Sequence, residues 1–174
     1  VRKGHRSEVE RDNSQYLLMP GFIYLNKGNS VIQAVLGTCV SVCLWDKKRR
    51  FGGMNNFLYP FTDDKHKATA KYGNVATITL IRMMEEAGCS KRDIIAQLFG
   101  GSSPEGEENS ERRNIGRENI NVARKVLRSK GIKIVSEDIG GHTGRKIAFD
   151  VATGNVAVLR VMDIRDSDWH FDEP

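Results

Sequence analysis

No apolar run in this 174-residue chain approaches the ~20 residues needed to cross a bilayer, and no signal-peptide pattern opens it. The chain is therefore expected to be cytoplasmic, with no membrane insertion. Cysteine is scarce: three residues, an odd count and too few for a disulfide framework. Cys39 and Cys43 fall on one face of a strand, but four residues at ~3.3 Å each separate them by ~13 Å, beyond the reach of a disulfide. No Cys-x-x-Cys or His-x-x-x-His spacing is present, so no metal site is expected. The glycine-rich run Gly100–Gly106 lacks the Gly-Lys-Ser/Thr ending of a phosphate-binding loop, which argues against a nucleotide, and no cofactor is expected. There is no internal repeat and no linker-like stretch.

What is present fits an ordinary folded chain, with 39% hydrophobic and 28% charged residues. Residues 1–15 are polar and without periodicity and read as a tail. Residues 16–174 read as a single domain. The net charge of +5 is uneven: residues 1–50 hold nine Lys/Arg against four Asp/Glu, and residues 51–174 hold eighteen of each. Much of the excess lies in the turn Lys47-Lys48-Arg49-Arg50, where charge keeps a hairpin tip solvated and blocks edge pairing. A nucleic-acid footprint would be a basic stripe with interleaved aromatics, which is absent. The expected partner is an acidic protein, not a nucleic acid.

Val31–Leu36 and Val40–Trp45 alternate as strands, bent at Gly37-Thr38. In the second strand Val40, Val42 and Leu44 face one way, and Cys39, Ser41, Cys43 and Trp45 the other. The charged turn then returns a strand from Phe51 to Pro60, bringing residues 54–58 beside Cys39–Cys43. Val75, Ile78, Ile81 and Met84 mark an amphipathic helix, with Gly88 at its C′ position. Ile94–Phe99 reads as a short strand. Ile120, Ala123 and Leu127 share one face of a second helix that stops at Gly131. A strand over 132–135 and a hairpin turning at Thr153-Gly154-Asn155 complete an α+β layer structure of six or more strands and two main helices.

Cys39 is the residue best placed for chemistry, because it follows a glycine bend and opens a strand. Backbone N–H groups at such a bend can stabilise an oxyanion and favour thiolate over thiol. The competing reading makes it one of three buried structural cysteines. A cysteine that attacks an amide needs a proton carrier for the departing amine. His5 and His170 lie in terminal segments and His66 in a charged loop. Only His142, in the 140–145 turn, is placed to line a site. Glu85-Glu86 and Glu107-Glu108 read as solvated charge.

Gly37-Thr38-Cys39-Val40-Ser41-Val42-Cys43-Leu44, Gly52-Gly53-Met54, Leu58-Tyr59-Pro60, Tyr72-Gly73-Asn74, Phe99-Gly100-Gly101, Asn114-Ile115-Gly116-Arg117-Glu118-Asn119 and Glu137-Asp138-Ile139-Gly140-Gly141 with Gly144-Arg145-Lys146 together resemble the CheD family. The match runs in order over about residues 20–162. The resemblance implies a cytoplasmic protein that deamidates glutamine side chains on methyl-accepting chemotaxis receptors, with a CheC-like phosphatase as a possible partner. It implies a single-domain α/β sandwich with a mostly antiparallel mixed sheet and two main helices, like that of cytotoxic necrotizing factor toxins. It places the nucleophile on Cys39. The family's histidine falls on Asn56, which cannot carry a proton near neutral pH. A family threonine falls near Gln33 and Ala34 and is absent. Thr38, Gly101 and Ser102, with Gln33, are expected to line the site. The implied activity is a deamidation through a Cys39 thioester, impaired at Asn56. The alternative is a non-catalytic adaptor that binds receptors or a CheC-like partner.

Overall fold

The structure, a computed structural model, describes residues 14–103 and 111–162, the side chains of 111–114 excepted. Its elements are β1 (Ser14–Leu17), β2 (Phe22–Lys27), β3 (Ser30–Leu36), β4 (Val40–Asp46), β5 (Phe51–Asn56), α1 (Gly73–Glu86), a short 3₁₀ turn (Lys91–Asp93), β6 (Ile94–Gly100), α2 (Glu111–Ser129), β7 (Lys133–Ile139), β8 (Gly144–Asp150) and β9 (Val156–Val161). The α+β expectation with two main helices stands, but the strands divide into two sheets. One runs β1-β3-β8-β9 and the other β2-β5-β4-β6-β7. Most pairings are antiparallel; β1–β3 and β6–β7 are parallel. None of the described helices is long and apolar enough to cross a membrane.

Alternation along β4 explains the layering. Val40, Val42 and Leu44 join a core with Leu80, Ile81 and Met84 of α1 and Ala123 and Leu127 of α2. Cys43 faces the other way, into a second core with Ile32, Ala34 and Leu36 of β3 and Ile147 and Phe149 of β8. The five-stranded sheet is thus the middle layer, buried on both faces, with helices on one side and the four-stranded sheet on the other.

The β4–β5 hairpin forms as read, and its turn is held by Asp46, whose carboxylate accepts the N–H groups of Lys48 and Arg49 at 2.9 and 3.2 Å. The α1 terminus also forms as read. Gly88 adopts φ +93°, its N–H donates to Glu85 O, and the Cys89 N–H donates to Met84 O, a paired closure of the last turn.

The buried stripe of α1 is rotated from the expected one. Gly73, Ala76, Thr77, Leu80, Ile81 and Met84 are buried, whereas Ile78 is 43% exposed. Each strict three-residue step falls ~60° short of a full turn, so the series 75-78-81-84 drifts across the helix surface. Alternate steps of three and four keep to one face. The tail also ends sooner than expected. Ser14 and Gln15 already pair with Ser30 and Val31, and residues 1–13 lie outside the described residues.

Candidate active site

Only Gly37, Thr38 and Cys39 separate β3 in one sheet from β4 in the other, so the chain changes layers at the cysteine. All three carbonyls of this bend are tied down. Gly37 O accepts from the Ser102 N–H at 3.0 Å and Cys39 O from the Gly101 N–H at 2.8 Å. Thr38 O accepts from the Asn119 side-chain amide at 3.0 Å. These three bonds fix the backbone around the Cys39 thiol.

Two glycines permit this arrangement. A side chain on Gly100, at φ +104°, would collide with Cys39 O. A Cβ on Gly116 of α2 would fall 2.7 Å from Gly101 O and 2.8 Å from Ser102 O. Asn119, one turn further along α2 and fully buried, donates to both Thr38 O and Leu58 O, the second at 2.9 Å. It thereby staples the bend to the chain leaving β5. The Gly100-Gly101 and Asn114–Asn119 motifs therefore surround one cysteine, although neither adjoins it in sequence.

Asn56 lies on the inter-sheet face of β5, two residues beyond Met54, which pairs with Cys43. The bracketing pairs Cys43–Met54 and Val40–Phe57 set it across from Ser41, on the same sheet face as Cys39. It is fully buried, and its amide NH₂ donates to Leu18 O at 3.2 Å. That assignment turns Oδ1 away from Leu18. Asn56 Oδ1 and Ser41 Oγ are both buried without a partner among the described residues. The ladder is open beside them, because the Val42 N–H donates at 2.8 Å to the side-chain oxygen of Asn55.

Burial pushes the Cys39 thiol up to about 11, and its own backbone N–H pulls the other way by less. The expectation that bend donors favour thiolate is thus corrected: desolvation outweighs them and the resting group is a neutral thiol. Cys39 is still the half-buried one of the three cysteines; Cys43 and Cys89 are buried.

Thr38, Gly101 and Ser102 come together at the bend. Gln33 does not. It pairs with Ala148 on the outer face of the four-stranded sheet, where its amide meets Gln15 at 3.5 Å, while Ala34 takes the inward position. Strand alternation makes this correction unavoidable, since Ile32, Ala34 and Leu36 all point into the core. His142 lies outside the bend, across a cavity wall formed partly by Gly101, with Nδ1 2.9 Å from Ser103 O. Asn119, Asn55 and Ser41 are the residues that sequence reasoning missed. Asn119 was legible only as part of a motif.

The family model described as CheD chemotactic sensory transduction matches residues 59–160, a span that begins after Cys39 and Asn56. A probable chemoreceptor glutamine deamidase CheD of Sulfurimonas denitrificans is 46% identical over 132 residues, covering 76% of this chain and 85% of its own. A protein of the same name from Trichlorobacter lovleyi is 37% identical over 154 residues, covering 87% and 95%. The crystal structure of Bacillus licheniformis hypothetical protein YfiH aligns with a TM-score of 0.44 at 14% identity, over 67% of this chain and 49% of that one, too loose a likeness to bear on the chemistry. With a family model covering more than half its length and relatives aligned along most of it, the chain belongs to the CheD family.

Proposed function

We propose that this chain is a glutamine deamidase for the cytoplasmic helices of chemotaxis receptors, with Cys39 as nucleophile and Asn56 as the feature that limits its rate. The names borne by its relatives suggest the substrate. The observation that carries the reading is the bend itself: a half-buried thiol held where the chain passes between the sheets, with all three carbonyls of the bend occupied by protein donors. In the reaction, the Cys39 thiol gives its proton to solvent and Sγ attacks the glutamine carboxamide carbon. The carbonyl oxygen becomes an oxyanion beside the Cys39 N–H. The nitrogen gains a proton, the C–N bond breaks and ammonia departs, leaving a thioester. Water attacks that carbon, the C–S bond breaks, and glutamate and thiol result.

Asn56 accepts and orients but does not move protons. Its Oδ1 is buried without a partner among the described residues and is not open to substrate in this conformation. Protons must therefore be exchanged with solvent, which makes turnover slow. The same two features, a raised thiol and an asparagine in place of a base, favour the second reading, a receptor- or CheC-binding adaptor without turnover. Ammonia release from a glutamine-bearing receptor fragment, absent with Cys39→Ala, supports the deamidase. Binding of the fragment with no release above the Cys39→Ala background supports the adaptor.

A further inference from the structure

Two of the points where the chain changes sheets are tied together through the end of β6. One is the Cys39 bend between β3 and β4; the other is the loop of residues 140–143 between β7 and β8. The Gly140 N–H donates to Gly100 O at 2.9 Å, and the next residue, Gly101, donates its N–H to Cys39 O at 2.8 Å. Gly100 leaves no slack on the side of the bend, because a side chain there would collide with Cys39 O. A displacement of the loop is therefore passed to the bend through two consecutive residues.

One buried side chain sets the loop. Arg145, at the start of β8, pairs with Leu36, the last residue of β3, and is 2% exposed. Its Nη2 donates to Gly140 O at 2.8 Å and its Nη1 to Thr143 O at 3.1 Å, so a single guanidinium holds both ends of the loop. Gly140 and Gly141 carry no side chain, and the protein grips this part of the loop by its backbone. Arg145 is itself oriented by Asp138, whose Oδ1 accepts from Nε at 3.1 Å and from Nη2 at 3.0 Å. The same oxygen accepts from the exposed Arg160 of β9 at 2.9 Å.

Stability alone does not account for this choice of residue. A buried ion pair can often be replaced by apolar side chains without loss, so its contribution here is geometric. The planar guanidinium fixes the directions of several acceptors at once, which the point charge of a lysine does not.

We infer that Arg145 is a positioning residue for Cys39: through Gly140, Gly100 and Gly101 it fixes the bend that presents the thiol. Its effect on turnover rests on the deamidase reading, whereas its effect on the thiol does not. A bend that wanders offers the thiol in its reactive arrangement for less of the time, and rates fall with that fraction.

The test uses the full chain and Arg145→Lys, which keeps a cation beside Asp138 but loses the fork. Both proteins are assayed well below their melting temperatures. Ammonia release from a glutamine-bearing receptor fragment gives kcat and KM, and brief iodoacetamide treatment gives the labelling rates of the three cysteines. The expected result is a kcat lower by about 10- to 100-fold. KM should stay within about twofold, because a residue buried behind the loop touches no substrate. Labelling of Cys39 should slow several-fold while that of Cys43 and Cys89 is unchanged. Asp138→Ala, at a partly exposed position, should give the same pattern more weakly, and it decides the matter if Arg145→Lys does not fold. A folded variant with Cys39 labelling unchanged overturns the inference, as does a parallel change at all three cysteines, which marks general loosening. Selective slowing at Cys39 in a protein whose unsubstituted form releases no ammonia upholds the positioning role and defeats the deamidase reading.

Discussion

Asn56→His is the most informative perturbation of this site. Asn56 is fully buried, so the larger ring must displace its neighbours, an overpacking cost of about 1–3 kcal/mol. For a chain of this length that corresponds to a loss of roughly 2–12 °C in Tm. The open ladder at Val42 and the Ser41 Oγ that lacks a partner among the described residues favour the lower end, because one ring nitrogen can keep the bond to Leu18 O while the other faces Ser41 across the strand pair. The kinetic gain has two parts. With the thiol at about 11, only about one molecule in three thousand is thiolate at pH 7.5, and a protonated imidazole nearby raises that fraction. A positioned acid–base group contributes a further ~100- to 10,000-fold. Deamidation of a receptor fragment, followed by ammonia release and by the mass gain of amide-to-acid conversion, should rise by at least ~100-fold in Asn56→His. It should vanish when Cys39→Ala is added. A folded Asn56→His protein within the stated Tm window that still binds the fragment, yet gains less than ~10-fold, would refute the assignment of Asn56 as the limiting feature.

Brief iodoacetamide treatment should label Cys39 before Cys43 or Cys89, because those two are 1% and 6% exposed; the Cys39 rate should keep climbing beyond pH 9, and a plateau below pH 9 contradicts a thiol raised to about 11. Asn119→Leu leaves Thr38 O and Leu58 O without their donor and should cost about 2–4 kcal/mol; it should also slow labelling and deamidation at Cys39, and a stability loss with Cys39 reactivity unchanged would reduce Asn119 to a packing role. Burial raises all three thiols, so between pH 9 and 11 the folded chain holds protons that the unfolded chain releases. That stabilisation is complete below about pH 8.5 and declines as pH rises through 11; Cys43→Ala should flatten the decline of Tm over this range, and an unaltered slope would show that Cys43 does not contribute.

The sequence alone determined whatever depends on neighbours a few residues away. The period-two alternation of Val40, Val42 and Leu44 against Ser41 and Cys43 could be read directly, because successive strand side chains point to opposite faces. So could the hairpin turn after Asp46 and the end of α1 at Gly88, because a carboxylate beside free N–H groups and a glycine at a helix terminus act locally. Cys39 was legible as the nucleophile candidate from the bend and from the motifs around it.

Tertiary structure decided what depends on the choice among distant partners. The separation into two sheets follows from β3 pairing with β8, more than a hundred residues later, a choice that period-two patterning does not encode. That pairing put Gln33 on the outer face beside Ala148, away from the site. The brace from Asn119 to Thr38 spans 81 residues, and only folding α2 against the five-stranded sheet brings the two together. The state of the thiol was decided the same way. A bend offers N–H donors to Cys39 locally, but the packing of both sheets around it removes water, and that desolvation raises its pKa more than the donors lower it.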